Sequence, residues 1–161
     1  MDFAHWEDAL MMRSAFRFCL SGFVILLCCV ILFFCACETY EKHQKIVYYS
    51  EKENYIEATA VVDYINYKKE SQYICLGLID IDPNSSGRSY FAFQIVGKNA
   101  DLVFEEDIES KLEIGDAISF VEAPGIFWNG YEIPIVGLTV DGEVLLEFDE
   151  GYTNLLEWLK E

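Results

Sequence analysis

The chain has 161 residues, and 53% of them are hydrophobic, although 28 acidic and 11 basic residues give it a net charge of −17. This length fits one domain of about 100 to 150 residues together with a targeting or anchoring segment. Because so negative a chain repels the phosphates of DNA and RNA, we expect no nucleic acid among its partners.

The first distinctive element is an uncharged run of 20 residues, from Phe18 to Cys37. A helix of this length spans about 30 Å, which is the thickness of the hydrocarbon core of a bilayer. We therefore predict a transmembrane anchor over residues 18–37, preceded by a cytoplasmic N-terminal segment over residues 1–17. The alternative is a lipoprotein-type signal, because residues 34–37 (FCAC) partly resemble a lipobox in which Cys37 would be lipidated.

The orientation of this anchor depends on the basic residues that flank it. Arg13 and Arg17 precede the run, and Lys42, Lys45 and Lys52 follow it among several glutamates. Counting these residues does not decide the orientation. The two arginines lie closer to the apolar boundary, so we expect a single-pass protein whose C-terminal domain is extracytoplasmic.

Residues 38–54 are typical of a juxtamembrane stalk, and residues 55–161 are expected to form an acidic, mainly β domain. The first predicted strand has apolar residues at alternating positions, which indicates one buried face. These positions are Ile56, Ala58, Ala60, Val62 and Tyr64. Two further strands are predicted over Tyr73–Ile81 and Ser89–Val96, and Cys75 is expected to be buried in the first of them.

A helix is predicted after the third strand, because Phe104, Ile108 and Leu112 recur at a spacing of four residues. A further strand follows over Ala117–Val121. The last residues, Tyr152–Lys160, have the pattern of a short amphipathic helix.

Two dipeptides predict tight hairpins, because Asn, Asp and Gly tolerate the positive φ that two-residue turns require. Asn129-Gly130 lies between short apolar runs on either side, and Asp141-Gly142 lies between residues 135–140 and 144–148. The sum is about seven short strands with one helix after the third. This order predicts a mainly β fold, either a small OB-like barrel or a related β-barrel or half-open sheet.

The sequence offers no set of residues typical of catalysis or cofactor binding, and we expect no enzyme. The best metal candidate is the run from Asp80 to Ser86, in which oxygen ligands alternate as in a calcium loop. A loop of that kind needs Gly at its sixth position and Glu at its twelfth, where this chain has Ser85 and Phe91. We therefore predict no metal site and no cofactor.

The most suggestive surface feature is the aromatic hairpin that contains Phe127, Trp128 and Tyr131. Aromatic residues dominate the binding energy of many protein interfaces, so these three residues are the candidates for partner binding. The alternative is that they fold back and close one end of the barrel.

The apolar run and three body segments, IEATAVVDYI, LEIGDAISFVEAP and GYEIPIVGLTVDGEVLLEF, resemble small uncharacterised membrane-anchored or lipoprotein β-domain families of Gram-positive bacteria. The resemblance implies a bacterial envelope location and carries over no catalytic residue. We thus expect an extracytoplasmic binding or interaction module with a protein or cationic envelope partner. The alternative is an acidic inhibitor or immunity-type protein that neutralises a basic enzyme or toxin.

Overall fold

The computed structural model describes residues 39–125 and 131–160. The predicted anchor over residues 18–37, the candidate lipidation site Cys37 and two of the aromatic candidates, Phe127 and Trp128, lie outside the described residues. In the described part of the chain, no helix is both long and apolar enough to cross a bilayer.

The chain divides into two compact units, Met1–His43 and Gln44–Glu161. In the first unit, residues 39–43 are helical and exposed. The second unit begins at Gln44, so residues 44–54, which the sequence assigned to a stalk, are part of it. Tyr49 in this segment is fully buried, so it packs within the unit.

Five strands close into a β-barrel that encloses the main hydrophobic core. They are β1 (Ile56–Lys68), β2 (Tyr73–Ile79), β3 (Ala92–Val96), β4 (Ala117–Glu122) and β5 (Glu132–Val140). Around the barrel the order is β1-β2-β3-β5-β4 and back to β1; only the β3–β5 pair is parallel. The β3–β5 pairing leaves neither edge of the five-stranded sheet unpaired. The prediction of a small, mainly β barrel is confirmed, and the arrangement is compatible with an OB-like barrel.

Two short 3-10 helices, Lys52–Asn54 and Lys69–Ser71, lie before and after β1. Four α-helices and a sixth strand complete the described elements. They are α1 (residues 39–49), α2 (Lys98–Glu105), α3 (Ile108–Lys111), β6 (Glu143–Leu146) and α4 (Phe148–Lys160). The single helix predicted after the third strand is two helices, because Asp107 adopts a left-handed conformation with φ 57° between them. The hairpin predicted at Asp141-Gly142 is confirmed, since both residues have positive φ and join β5 to β6.

The predicted strand pattern differs from the structure around Pro134, and the hairpin predicted at Asn129-Gly130 lies outside the described residues. The sequence suggested separate runs on either side of this proline, but β5 passes through it without a break. Its carbonyl accepts a hydrogen bond from the N–H of Ala123 at 2.8 Å. Proline can therefore be part of the strand here, even though it has no N–H to donate. The described residues contain six strands.

Strand irregularities decide which side chains face the core. In β1 the predicted alternation holds from Ala58 to Val62, but the register shifts between Val62 and Tyr64. The shift turns Tyr64 outward, where it is 51% exposed, so its predicted place on the buried face is wrong.

In β2 the buried positions are Ile74, Leu76 and Leu78, and Cys75 is only half-buried on the opposite face. The expectation of a buried Cys75 is therefore wrong as well.

A second hydrophobic cluster lies outside the barrel wall, between α4, the end of α1 and β5. Its buried members are Tyr49, Ala123, Val136, Leu155 and Leu159. A register shift in the β4–β5 pair lies beside Val136, which packs in this outer cluster rather than in the barrel core. Helix α4 approaches β5 at Gly151, where an added Cβ would lie 1.9 Å from the carbonyl oxygen of Val136.

Candidate functional site

Two strand starts bring three aromatic residues together at one end of the barrel. Tyr90 and Phe91 immediately precede β3, and Tyr131 immediately precedes β5. Because β3 and β5 run parallel with Ala92 opposite Glu132, the residues before them must also be neighbours. The N–H of Ala92 donates a hydrogen bond to the carbonyl of Tyr131 at 2.7 Å. We call Tyr90, Phe91 and Tyr131 the aromatic end cluster.

The three rings of the aromatic end cluster contact one another. The ring centroids of Tyr90 and Phe91 are 4.8 Å apart, and those of Phe91 and Tyr131 are 5.6 Å apart, both with edge-to-face geometry. Phe91 is half-buried against the barrel core, whereas Tyr90 is 70% exposed and Tyr131 is 64% exposed. The cluster therefore has one anchored ring and two rings that offer their faces and hydroxyl groups to a partner.

A buried carboxylate holds the β2–β3 loop that carries Tyr90 and Phe91. Glu122 ends β4 with no exposed surface. Its carboxylate accepts hydrogen bonds from the Ser85 hydroxyl and from the Ser86 N–H, each at 2.6 Å. The Ser85 hydroxyl oxygen in turn accepts a bond from the N–H of Gly87 at 3.0 Å. Bonds to a carboxylate are stronger than neutral ones, so this network fixes the middle of the loop to the barrel.

The neighbouring loops are tied to the same end of the barrel. The Ser86 hydroxyl accepts a hydrogen bond from the N–H of Gly125 at 3.3 Å, which joins the β2–β3 loop to the start of the β4–β5 connection. The Tyr49 hydroxyl donates to the carbonyl of Pro124 in that same connection. Gly87 packs closely, since an added Cβ would lie 2.2 Å from Cζ of Phe93. The aromatic end cluster is thus presented by backbone that is held in place.

The sequence predicted only part of this site. Of its three candidates, Tyr131 lies in the aromatic end cluster, and Phe127 and Trp128 are outside the described residues. Tyr90 and Phe91 were missed, because their position follows from the parallel β3–β5 pairing. Glu122 was missed too, although a signal for it exists: it continues the inward-facing alternation of Ile118 and Phe120, which places a carboxylate at a core position.

The candidate calcium loop is used as an inter-strand connection. The Asp82 carboxylate accepts a bond from the N–H of Asn84 at 2.8 Å, which forms a local turn. Ser85 is buried and bonded to Glu122, so it does not face a common centre with the acidic side chains of the loop. Among the residues that the structure describes, no group of three or more His, Cys, Asp or Glu side chains is arranged to hold a metal ion.

Another exposed tyrosine lies on the outer face of β1–β2–β3, away from the loops. Tyr64 lies over Gly77, where an added Cβ would be 3.0 Å from Cβ of Tyr64. Nearby, burial and a hydrogen bond with Cys75 raise the pKa of Tyr73 to about 12. The ammonium of Lys68 lies 5.5 Å from the centre of the Tyr73 ring.

Comparison with known proteins adds no relative. No protein-family model, no curated protein and no solved structure matches the chain.

Proposed function

We propose that this protein is a membrane-anchored, extracytoplasmic binding module of a bacterial envelope, and that it binds a protein partner through the aromatic end cluster. The observation that carries the proposal is the pair of exposed tyrosines, Tyr90 and Tyr131, whose rings both contact Phe91. Hydrogen bonds join the neighbouring loops to the barrel. The location rests on the apolar run over residues 18–37 and on the arginines before it.

The chemistry of the aromatic end cluster suits protein binding. A tyrosine offers a large apolar ring and a hydroxyl group, and it loses little conformational entropy when it is immobilised. Tyrosine is also among the residue types that carry most of the binding energy at interfaces. The bonds from Ser85 and Ser86 to Glu122 order the loop before binding, which lowers the entropic cost of association.

We assign the barrel to the OB-like class on its strand order and on the helices between β3 and β4. The loops at one end of such a barrel tolerate changes in sequence without loss of the scaffold. A binding function on the loops that carry Tyr90 and Tyr131 is consistent with this division between scaffold and surface.

Crosslinking on intact cells tests the proposal. The full-length chain, the double variant Tyr90→Ala with Tyr131→Ala, and the control Tyr64→Ala would be crosslinked and purified, and the captured proteins compared by mass spectrometry. We expect one protein that is captured by the parent chain and by the control but lost with the double variant. An identical capture profile for all three chains would contradict the role of the aromatic end cluster.

Protease treatment of intact cells tests the orientation separately. We expect the domain over residues 55–161 to be cleaved from outside. If it is protected while an external marker protein is digested, the extracytoplasmic location is wrong.

The acidic inhibitor or immunity-type protein is the second candidate, and the net charge of −17 favours it. Charge complementarity speeds the association of an acidic inhibitor with a basic enzyme. Under this hypothesis, capture of the partner would weaken steeply with added salt and would depend on surface carboxylates more than on Tyr90 and Tyr131. The same crosslinking experiment at low and high salt separates the two functions.

A further inference from the structure

A groove of about 400 Å³ lies on the outer wall of the barrel, where β1, β4, β5 and β6 run side by side. Strand pairing places Thr59, Ser119 and Thr139 in one row across its floor. None of its lining residues belongs to the aromatic end cluster, so it is a separate surface.

One wall of this groove is apolar. Val144, which is 46% exposed, and the half-buried Phe148 line it beside Val121. Gly137 keeps the groove open, because an added Cβ would lie 3.0 Å from Val121 and 3.6 Å from Cβ of Phe148. The groove can therefore contact an aliphatic chain along its length.

The charged residues of the lining are all acidic. Glu57, Asp82 and Glu147 line the groove, and none of the described lining residues is basic. Lys52 lies 5.6 Å from the centre of the Phe148 ring, but its ammonium is paired with Asp149 at 2.6 Å. Among the described residues, no ion pair is formed by Glu57 or Glu147.

The three acidic residues come from different segments of the chain: β1, the β2–β3 loop and the link between β6 and α4. The described residues contain no group of three acidic side chains close enough to hold one metal ion. An elongated occupant fits this distribution better than a single cation. A lysine or arginine side chain combines an apolar stem with a cationic head, and such side chains lay the stem on apolar surface while the head stays among polar groups.

We propose that the groove binds a basic side chain of an extended segment of a protein partner. The stem contacts Val144 and Phe148, and the cationic head lies among the carboxylates of Glu57, Asp82 and Glu147. The net charge of −17 attracts a basic segment from a distance, and the groove gives it a defined contact. The proposal does not depend on the aromatic end cluster.

Fluorescence anisotropy with a labelled peptide tests this proposal. The probe is a short extended peptide of alternating valine and arginine, and its reference is the same peptide with citrulline, which is neutral and nearly isosteric with arginine. The protein is the full-length chain in non-ionic detergent. We expect the arginine peptide to bind and the citrulline peptide to bind at least about tenfold more weakly, which corresponds to ~1.4 kcal/mol.

Matched charge variants separate the groove from the overall negative field. The groove variant is Glu57→Gln with Glu147→Gln, and the control variant is Glu70→Gln with Glu113→Gln; all four glutamates are exposed, and each variant removes two charges. We expect a loss of affinity of about tenfold for the groove variant and under about twofold for the control. Circular dichroism would establish that both variants are folded.

Three results would overturn the proposal. Equal losses for the two variants would mean that only the net charge attracts the peptide. Absence of arginine peptide binding to the parent chain would remove the site. Complete competition by spermidine at the concentration of the peptide itself would identify a free polyamine, and not a protein segment, as the occupant.

Discussion

Replacing Glu122 tests the network that positions the aromatic end cluster. The side chain has no exposed surface, and its two oxygens accept hydrogen bonds from the Ser85 hydroxyl and the Ser86 N–H. Glu122→Ala leaves both donors without this acceptor, and Ser85 is buried while Ser86 is half-buried. Each unsatisfied buried donor costs about 1–3 kcal/mol, so we expect a loss of about 2–5 kcal/mol in the free energy of unfolding.

The Glu122→Gln variant refines this magnitude. The amide oxygen of glutamine still accepts the bond from the Ser86 N–H, but its NH₂ group faces the Ser85 oxygen and cannot accept the hydroxyl proton. The Ser85 hydroxyl proton loses its acceptor and the bond from the Ser86 N–H loses the charge of its acceptor, so the expected cost is about 1–2 kcal/mol. The predicted order of stability is therefore the parent chain, then Glu122→Gln, then Glu122→Ala.

Urea unfolding of the full-length chain, followed by circular dichroism, measures these differences. The control is Glu132→Ala, which removes an exposed glutamate at the start of β5 and should change the stability by less than about 0.5 kcal/mol. If Glu122→Ala is as stable as this control, the carboxylate does not hold the β2–β3 loop. The explanation for the ordered aromatic end cluster would then be wrong.

Two further predictions concern the outer helix and the tyrosines. Gly151→Ala would gain about 1 kcal/mol of helix propensity, but it places a Cβ 1.9 Å from the carbonyl oxygen of Val136. Because overpacking costs about 1–3 kcal/mol or more, we expect a net loss of stability in urea unfolding and little change for the exposed control Glu150→Ala. A gain in stability would refute the close packing of α4. Burial raises the pKa of Tyr67 from 10.0 to about 12, so its contribution to stability is complete below pH 10 and is lost as the pH rises towards 12. Urea midpoints measured across this range should fall less steeply for Tyr67→Phe than for the parent chain, and equal slopes would contradict the assignment.

Local sequence signals predicted the elements whose geometry is set by near neighbours. The alternation through Ala58, Ala60 and Val62 defines the inner face of β1, and Asp141-Gly142 adopts the positive φ expected for a two-residue turn. The leucines at the C-terminus define the buried side of α4. In each case the pattern depends on residues within one strand, one turn or one helix, so tertiary contacts reinforce it.

The same reasoning failed where a distant contact changes the local pattern. Tyr64 faces outward because the register of β1 against β2 shifts beside it, and one added residue reverses the alternation. Asp107 interrupts the predicted helix although Phe104 and Ile108 have helical spacing and are both buried. The candidate site depends even more on such contacts, since Tyr90 and Tyr131 are far apart in the chain.

The sequence by itself determined that this is an acidic, mainly β domain with a strongly apolar run before it, because charge, hydrophobicity and strand alternation are properties of residues and their close neighbours. The tertiary structure decided that the strands close into a barrel, because the parallel β3–β5 pairing joins segments separated by two helices and β4. That pairing brings Tyr90, Phe91 and Tyr131 together. In the sequence, the acidic residues indicated only a large negative net charge. In the structure, the buried Glu122 holds a loop, and three other acidic residues line a groove.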